Sequence, residues 1–319
     1  MPHPLLRDLN PAQREAVLHT GGPLLVLAGA GSGKTKVLTH RFAYLTRERS
    51  YDPQRIFAVT FTNKAAREMG ERVSALFGAR AGRFAWLGTF HSLCVRLLRR
   101  EIEHVGYSRN FSIYDEDDTR KAIAHAMKAL TLDPKAINPD AVRAVISRGK
   151  NQGLNERILS QQSEGFFDEM VAKIWKRYQQ ILKECDALDF DDLLLVALTL
   201  LNTHPEVAHR YQDLFQAILV DEYQDVNDVQ YRLLETLVGS RGEITAVGDD
   251  YQAIYGWRGA NFANILSFER RFPNARVIKL EQNYRSTRRI LAAAQAVIEH
   301  NRHRTDNKLW TENPEGAPV

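Results

Sequence analysis

"LLVLAGAGSGKTKVL", Leu24 to Leu38, decides the fold. An apolar stretch of strand length, Leu24 to Ala28, runs into a glycine-rich turn and then into a segment with helical spacing that starts at Lys34. A phosphate needs that geometry. Gly29, Gly31 and Gly33 let the backbone curl so that successive N–H groups point inward, and the following helix adds its positive end. The loop Ala28, Gly29, Ala30, Gly31, Ser32 and Gly33 is therefore expected to cradle phosphates, with Lys34 reaching the β- and γ-phosphates and the Thr35 hydroxyl on Mg²⁺. Ala28 stands where the G-x-x-x-x-G-K-[ST] pattern has its first glycine, a small change because alanine fits a tight turn. An ordinary strand-to-helix loop is the competing reading. The strand before the turn and the helix after it favour nucleotide binding.

Outward from this loop, apolar runs at Ile56 to Thr60, Phe84 to Leu87, Ile218 to Val220, Ile244 to Val247 and Val277 to Leu280 read as further buried parallel strands. Helix-period segments at Lys34 to Arg47 and Asn63 to Phe77 separate the early ones, which predicts an α/β sheet. From about Phe90 to Phe215 no strand is expected; Leu93 to His104, Asp117 to Leu130, Phe167 to Cys185 and Asp191 to Leu201 have helical spacing. The organisation expected is a sheet domain at 1–90 and 216–280, a helical insertion at 91–215, and a further segment at 281–319. Asp115, Glu116, Asp117 and Asp118 have the look of a metal site, yet they fall where a helix begins and acids offset its dipole. The same holds for Asp189, Asp191 and Asp192, where Asp189 is a candidate cap.

Composition sets the outer bounds. The 319 residues, 44% of them hydrophobic, suffice for about two packed domains. A formal charge of +4 permits a polyanionic partner without requiring one. Cys94 and Cys185 are too few for a disulfide framework and read as packing residues in a reducing interior. The longest apolar runs, such as Leu193 to Leu198, fall far short of a membrane span, so no membrane contact and a cytoplasmic location are expected.

"FQAILVDEYQD", Phe215 to Asp225, narrows the chemistry. Here an apolar strand ends in adjacent carboxylates at the sheet edge where the phosphate loop emerges. Asp221 is the expected Mg²⁺ partner, and Glu222 the base that orients and deprotonates a water attacking the γ-phosphate. Acids capping the next helix are the alternative. A small-molecule kinase would need its base beside an acceptor hydroxyl, so the pair favours an ATPase. "GDDYQAIYGWRGA", Gly248 to Ala260, taken alone favours a core role for Tyr251, Tyr255 and Trp257, with a platform for unpaired bases at Tyr255, Trp257 and Arg258 as the competing reading.

Set in order with "LNPAQREAV", "VTFTNKAAREM", "GTFHSL" and "QNYRS", these stretches resemble superfamily 1 DNA helicases of the UvrD, PcrA and Rep type, from Leu9 to the C-terminus. The resemblance implies a RecA-like phosphate-loop NTPase sheet at 1–90 and 216–280, with 281–319 opening a second motor domain that is not completed. It implies ATP and Mg²⁺ as cofactors and single-stranded DNA, with its junctions to duplex, as the partner. Gln13 would read the adenine edge and Tyr284 stack on the ring; Lys36 stands where the family usually has an arginine on the other face, and lacks the flat guanidinium. Gln252 matches the γ-phosphate sensor and Arg285 the first arginine finger. Phe61, Asn63, Thr89, His91, Tyr255, Trp257 and Arg258 match the DNA track. Tyr223 and Tyr251 replace the usual phenylalanine and aspartate without removing a reacting group. The implied activity is ATP-driven 3′ to 5′ translocation, expected to be weak in turnover and without unwinding in this piece. The alternative is an ATP-switched DNA-binding module with no motor.

Overall fold

The computed structural model describes residues 4–77, 84, 86–132, 137–162, 165–253, 261, 263–301 and 308–319. The chain divides into two compact units: residues 1–90, 211–226 and 237–319 form one, and residues 91–210 and 227–236 the other.

The first unit is built on a parallel sheet of six strands: β1 (Leu24–Ala28), β2 (Ile56–Thr60), β3 (Leu87–Thr89), β6 (Ala217–Val220), β7 (Ile244–Gly248) and β8 (Arg276–Leu280), in the order β3-β2-β6-β7-β1-β8. The numbering leaves room for two short strands of the second unit, β4 (Ser112–Ile113) and β5 (Ala187–Leu188). Every residue of β1, β2, β6 and β7 is buried, as expected of strands covered by helices on both faces. This is the α/β, RecA-like fold class expected from the phosphate loop outward. Because all six strands run the same way, their carboxyl ends share one edge, where open α/β sheets bind ligands.

Two strands depart from expectation. The apolar run Phe84 to Leu87 is not itself the third strand. The ladder with β2 begins only at Leu87, opposite Ala58, and runs to Thr89. The large residues ahead of it pack instead: Phe84 lies edge-on to Phe42 at 5.1 Å and Trp86 meets Phe215 at 5.1 Å. β8, expected to be buried, is an edge strand with Arg276 and Lys279 exposed and Ile278 and Leu280 inside. Charge on an open edge discourages pairing with another chain.

Helix Lys34–Arg47 presents Val37, Leu38, Phe42 and Leu45 to the core between itself and the sheet. Arg41, on the same buried face, is an unexpected member of that core. Its Nε donates to Thr245 Oγ1 at 2.7 Å, and its Nη1 donates to the carbonyls of Ala16, Val17 and His19 at 3.2, 3.2 and 2.8 Å. Those carbonyls are the unpaired end of helix Pro11–Leu18, so Arg41 acts as its C-terminal cap. Burial lowers its guanidinium to about 10, still well charged at neutral pH.

The second unit is helical, with a core around Trp175, Tyr178, Ile146 and Leu182. Helices at Phe90–Glu101, Glu116–Ala129, Phe166–Glu184 and Phe190–Thr203 lie near the expected segments. Pro139–Asn151, Glu156–Gln162 and Pro205–Leu214 are additional. The region is not free of strand: β4 and β5 pair in parallel, too briefly for any periodicity to announce them. Asp115 caps its helix through Asp118 N at 2.9 Å. Asp189 caps through Asp192 N at 2.8 Å and does more, because the buried Lys150 ammonium sits 2.6 Å from Asp189 and 2.7 Å from Asp192. Cys94 is buried and its thiol is pushed up to about 12, whereas Cys185 is exposed and not the packing residue expected. Among the described residues, no helix is long and apolar enough to cross a membrane.

Candidate nucleotide site

The turn after β1 is held open by its glycines. Gly31 and Gly33 sit at φ +67° and +91°, the left-handed region that side chains disfavour. Space forbids a side chain as well: a Cβ on Gly31 would fall 2.7 Å from Arg285 Cβ, and one on Gly33 2.7 Å from Gln13 Nε2. Lys34 begins the helix with its side chain largely covered. Its ammonium lies 3.3 Å from Glu222 Oε2 and 3.9 Å from Asp249 Oδ2, yet it makes no hydrogen bond. A buried, unsatisfied cation at the mouth of such a loop suits an anionic ligand.

The carboxylates arrive from the next strands along the edge. Asp221 directly follows β6, accepts the Glu222 N–H at 3.0 Å and is buried. Burial, with the Glu222 carboxylate beside it, pushes Asp221 up to about 7. An acid so reluctant to ionise alone fits a place beside a dication, and Thr35, half-buried at the helix start, is the matching hydroxyl. Glu222 itself has φ +50°, a conformation that a non-glycine residue holds only under constraint. Gln224 braces the Glu222 side chain. Its Nε2 donates to Glu222 Oε2 at 2.8 Å while its Oε1 accepts the Asp249 N–H at 2.9 Å, tying the end of β6 to the end of β7. Lys34, Glu222, Gln224 and Asp249 thus form a closed ring of contacts, and Gln252 is attached to it by donating to Asp249 Oδ2. Burial also raises Asp249, and burial with Glu222 pushes Asp225 up to about 6.

On the other side of the loop, Asn283 clips the chain after β8 onto it. Its Nδ2 donates to Ala30 O at 2.6 Å, its Oδ1 accepts from the N–H groups of Arg285 and Ser286, and Tyr284 N donates to Gly31 O at 3.0 Å. Arg285 is thereby held against the phosphate loop with its side chain exposed. Tyr284 is half exposed, its hydroxyl accepting from Asn10 Nδ2 and donating to Gln282 Oε1, both at 2.8 Å. Gln13 is only 2% exposed. Its Oε1 accepts the Asn10 N–H in a capping box and its Nε2 donates to Ser32 O at 2.8 Å. Lys36 Nζ donates to Asp8 O at 2.5 Å.

Of the expected DNA track, Phe61, Asn63 and Thr89 fall at the carboxyl ends of β2 and β3: Phe61 is half-buried, Asn63 exposed and Thr89 buried. His91 belongs to the helical unit, its ring 5.2 Å from Phe190, and burial holds its imidazole down at about 4. Tyr255, Trp257 and Arg258 lie outside the described residues. Sequence reasoning missed Asn10, Gln224, Asp249 and Asn283. Two of them had local signals, Asn10 its capping-box spacing to Gln13 and Asn283 the composition of an Asx turn, although neither signal shows the distant segment that Asn283 bridges.

A glycine-rich loop between β1 and a helix, flanked by paired acids from the neighbouring strands, defines a phosphate-loop nucleotide site on a RecA-like sheet. Residues 9–273 match the family model for the UvrD/REP helicase N-terminal domain, and the chain belongs to that family. It is similar to the ATP-dependent DNA helicase PcrA of Bacillus subtilis, at 50% identity over 315 residues, 99% of this chain and 42% of the relative. The proteins of the same name from Leuconostoc citreum and Staphylococcus epidermidis are each 47% identical over 99% of this chain, which covers 42% and 43% of them. The chain thus spans less than half the length of these relatives.

Proposed function

We propose that this chain hydrolyses ATP with Mg²⁺ under stimulation by single-stranded DNA, as the first motor domain and helical insertion of a 3′ to 5′ DNA helicase. The observation that carries the reading is the ring of contacts joining Lys34, Glu222, Gln224 and Asp249 at the mouth of the phosphate loop, with Gln252 tied to Asp249. In it, Lys34 takes the β- and γ-phosphates, and Thr35 with Asp221 holds the Mg²⁺, whose bound charge offsets that of the phosphates. Glu222 takes the proton of the attacking water, and Gln252 senses the γ-phosphate through its link to Asp249. Arg285 faces the same loop as the arginine that stabilises the transferring phosphoryl group. The base stacks on the exposed Tyr284, whose ring Asn10 and Gln282 hold by the hydroxyl. Reading of the adenine edge by Gln13 requires its buried amide to turn outward; one amide hydrogen and one lone pair remain for it.

Single-stranded DNA and its junctions with duplex are the proposed partners, bound along Phe61, Asn63, Thr89, His91, Tyr255, Trp257 and Arg258, with residues 281–319 leading into a second motor domain. Polarity rests on the family resemblance. Assayed by itself, the 319-residue chain, which spans less than half the length of its helicase relatives, is expected to turn over slowly and not to unwind. ATP hydrolysis and nucleotide binding measured with and without an oligothymidylate, on this chain and on Glu222→Gln, test the reading. Glu222→Gln keeps ATP affinity and loses about 10²- to 10⁴-fold in turnover, the range for removing a general base. Undiminished turnover in the variant overturns the motor and leaves an ATP-switched DNA-binding module.

A further inference from the structure

We propose that the helical unit carries a surface site for a divalent transition-metal ion, made by His104, His204 and Glu206. One ring nitrogen of each histidine and a carboxylate oxygen of Glu206 lie within 4.8 Å of one another. Two imidazoles and a carboxylate are a donor set for Zn²⁺, Ni²⁺ or Cu²⁺; Mg²⁺ takes oxygen ligands and keeps its waters.

The ligands come from two backbone segments, His104 from one and His204 with Glu206 from the other. His104 lies in the 3-10 turn Ile102–Val105, which Gly106 terminates at φ +74°. His204 closes helix Phe190–Thr203, its N–H donating to Leu200 O at 2.9 Å. Its carbonyl accepts from Val207 and Ala208 of the next helix, Pro205–Leu214, at 3.0 and 3.1 Å. Standing before Pro205, it is also kept out of the helical conformation. Glu206 sits in the first turn of that helix, with Oε1 3.2 Å from His204 Nδ1.

A surface imidazole paired with a neighbouring carboxylate would account for His204 and Glu206 alone. It does not account for His104, which arrives from another element with its ring centroid 5.0 Å from that of His204. Behind His104, Glu101 Oε2 lies 3.8 Å from Nε2 and is itself held by Arg210 at 2.6 Å. At 3.8 Å the Glu101 carboxylate is too far for a hydrogen bond to the ring, and with Arg210 engaging it Glu101 is not one of the proposed ligands. The side chains of His104, His204 and Glu206 are 41%, 29% and 63% exposed, so an ion enters from solvent without an opening motion. Bound there, it clips the turn at 102–105 to the helix junction at 203–206.

Calorimetric titration of the untagged 319-residue chain with ZnCl₂, in excess MgCl₂ to occupy oxygen-only sites, tests the assignment. The parent shows a saturable site, and Zn²⁺ raises its Tm because it binds the folded state. His104→Ala and His204→Asn each weaken that site by more than about tenfold, at least what losing an outer-shell partner costs, and abolish the Tm rise. His125→Ala, an exposed histidine elsewhere in the unit, retains both. No saturable site in the parent, or equal Zn²⁺ binding in the parent and in both ligand variants, overturns the proposal. Because these are surface side chains, circular dichroism of the variants without metal matches the parent.

Discussion

Asn283 fixes where two proposed functional residues stand. Its side chain holds the Ala30 carbonyl and the N–H groups of Arg285 and Ser286 while only 2% exposed. Asn283→Ala leaves those groups unpaired, at about 1–3 kcal/mol for the buried polar groups stranded. The expected kinetic result is a lower kcat/KM for ATP, with the chain still folded, read from steady-state hydrolysis beside circular dichroism. His91 makes a different residue-scale prediction. Burial lowers its folded pKa to about 4, against 6.5 for the ordinary side chain, so the unfolded state binds the extra proton first as pH falls. Its contribution is complete above about 6.5 and is lost as pH drops toward 4. Urea midpoints measured between pH 7 and 4 decline for the parent, and His91→Asn flattens part of that decline.

At the scale of elements, helix Pro11–Leu18 depends on a residue outside it, because Arg41 caps its last carbonyls from within the core. Arg41→Leu keeps volume and removes every one of these bonds. It should cost on the order of 2–3 kcal/mol, as for hydrogen bonds to a charged group, and appear as a lower denaturation midpoint. Nothing local in "THRFAYL" distinguishes Arg41 from a solvated arginine, because its partners come from the helix before it and from β7. By contrast, Lys34–Arg47 and Asn63–Phe77 were legible to the residue, and β1 and β2 likewise, because long apolar periods and a glycine turn are local signals. β3 was displaced because Phe84 and Trp86 advertise packing, not a ladder; β4 and β5 had too few residues to show a period. The candidate site divides in the same way. Lys34, Asp221 and Glu222 follow from strand ends, while Gln224 and Asn283 act by bridging segments distant in sequence, which no spacing reveals.

Over the whole molecule, each unit owns a core, and the helical one is pinned by a charge. Lys150 is fully enclosed between Asp189 and Asp192, with Tyr178 Oη donating to Asp189 at 2.7 Å. Lys150→Met strands a pair of buried carboxylates, and losing one partner of such a pair costs about 3–5 kcal/mol. Thermal unfolding followed by tryptophan fluorescence, with Trp175 in that core, should show the loss; an unchanged midpoint would mean that the acids take protons at no cost. In the sheet unit, a single ammonium ties the ends of β6 and β7 to the loop after β1. On the proposed reading, an arriving terminal phosphate must draw Lys34 away from Glu222. Fuel and base would then compete for one cation, so that capture of the first unleashes the second.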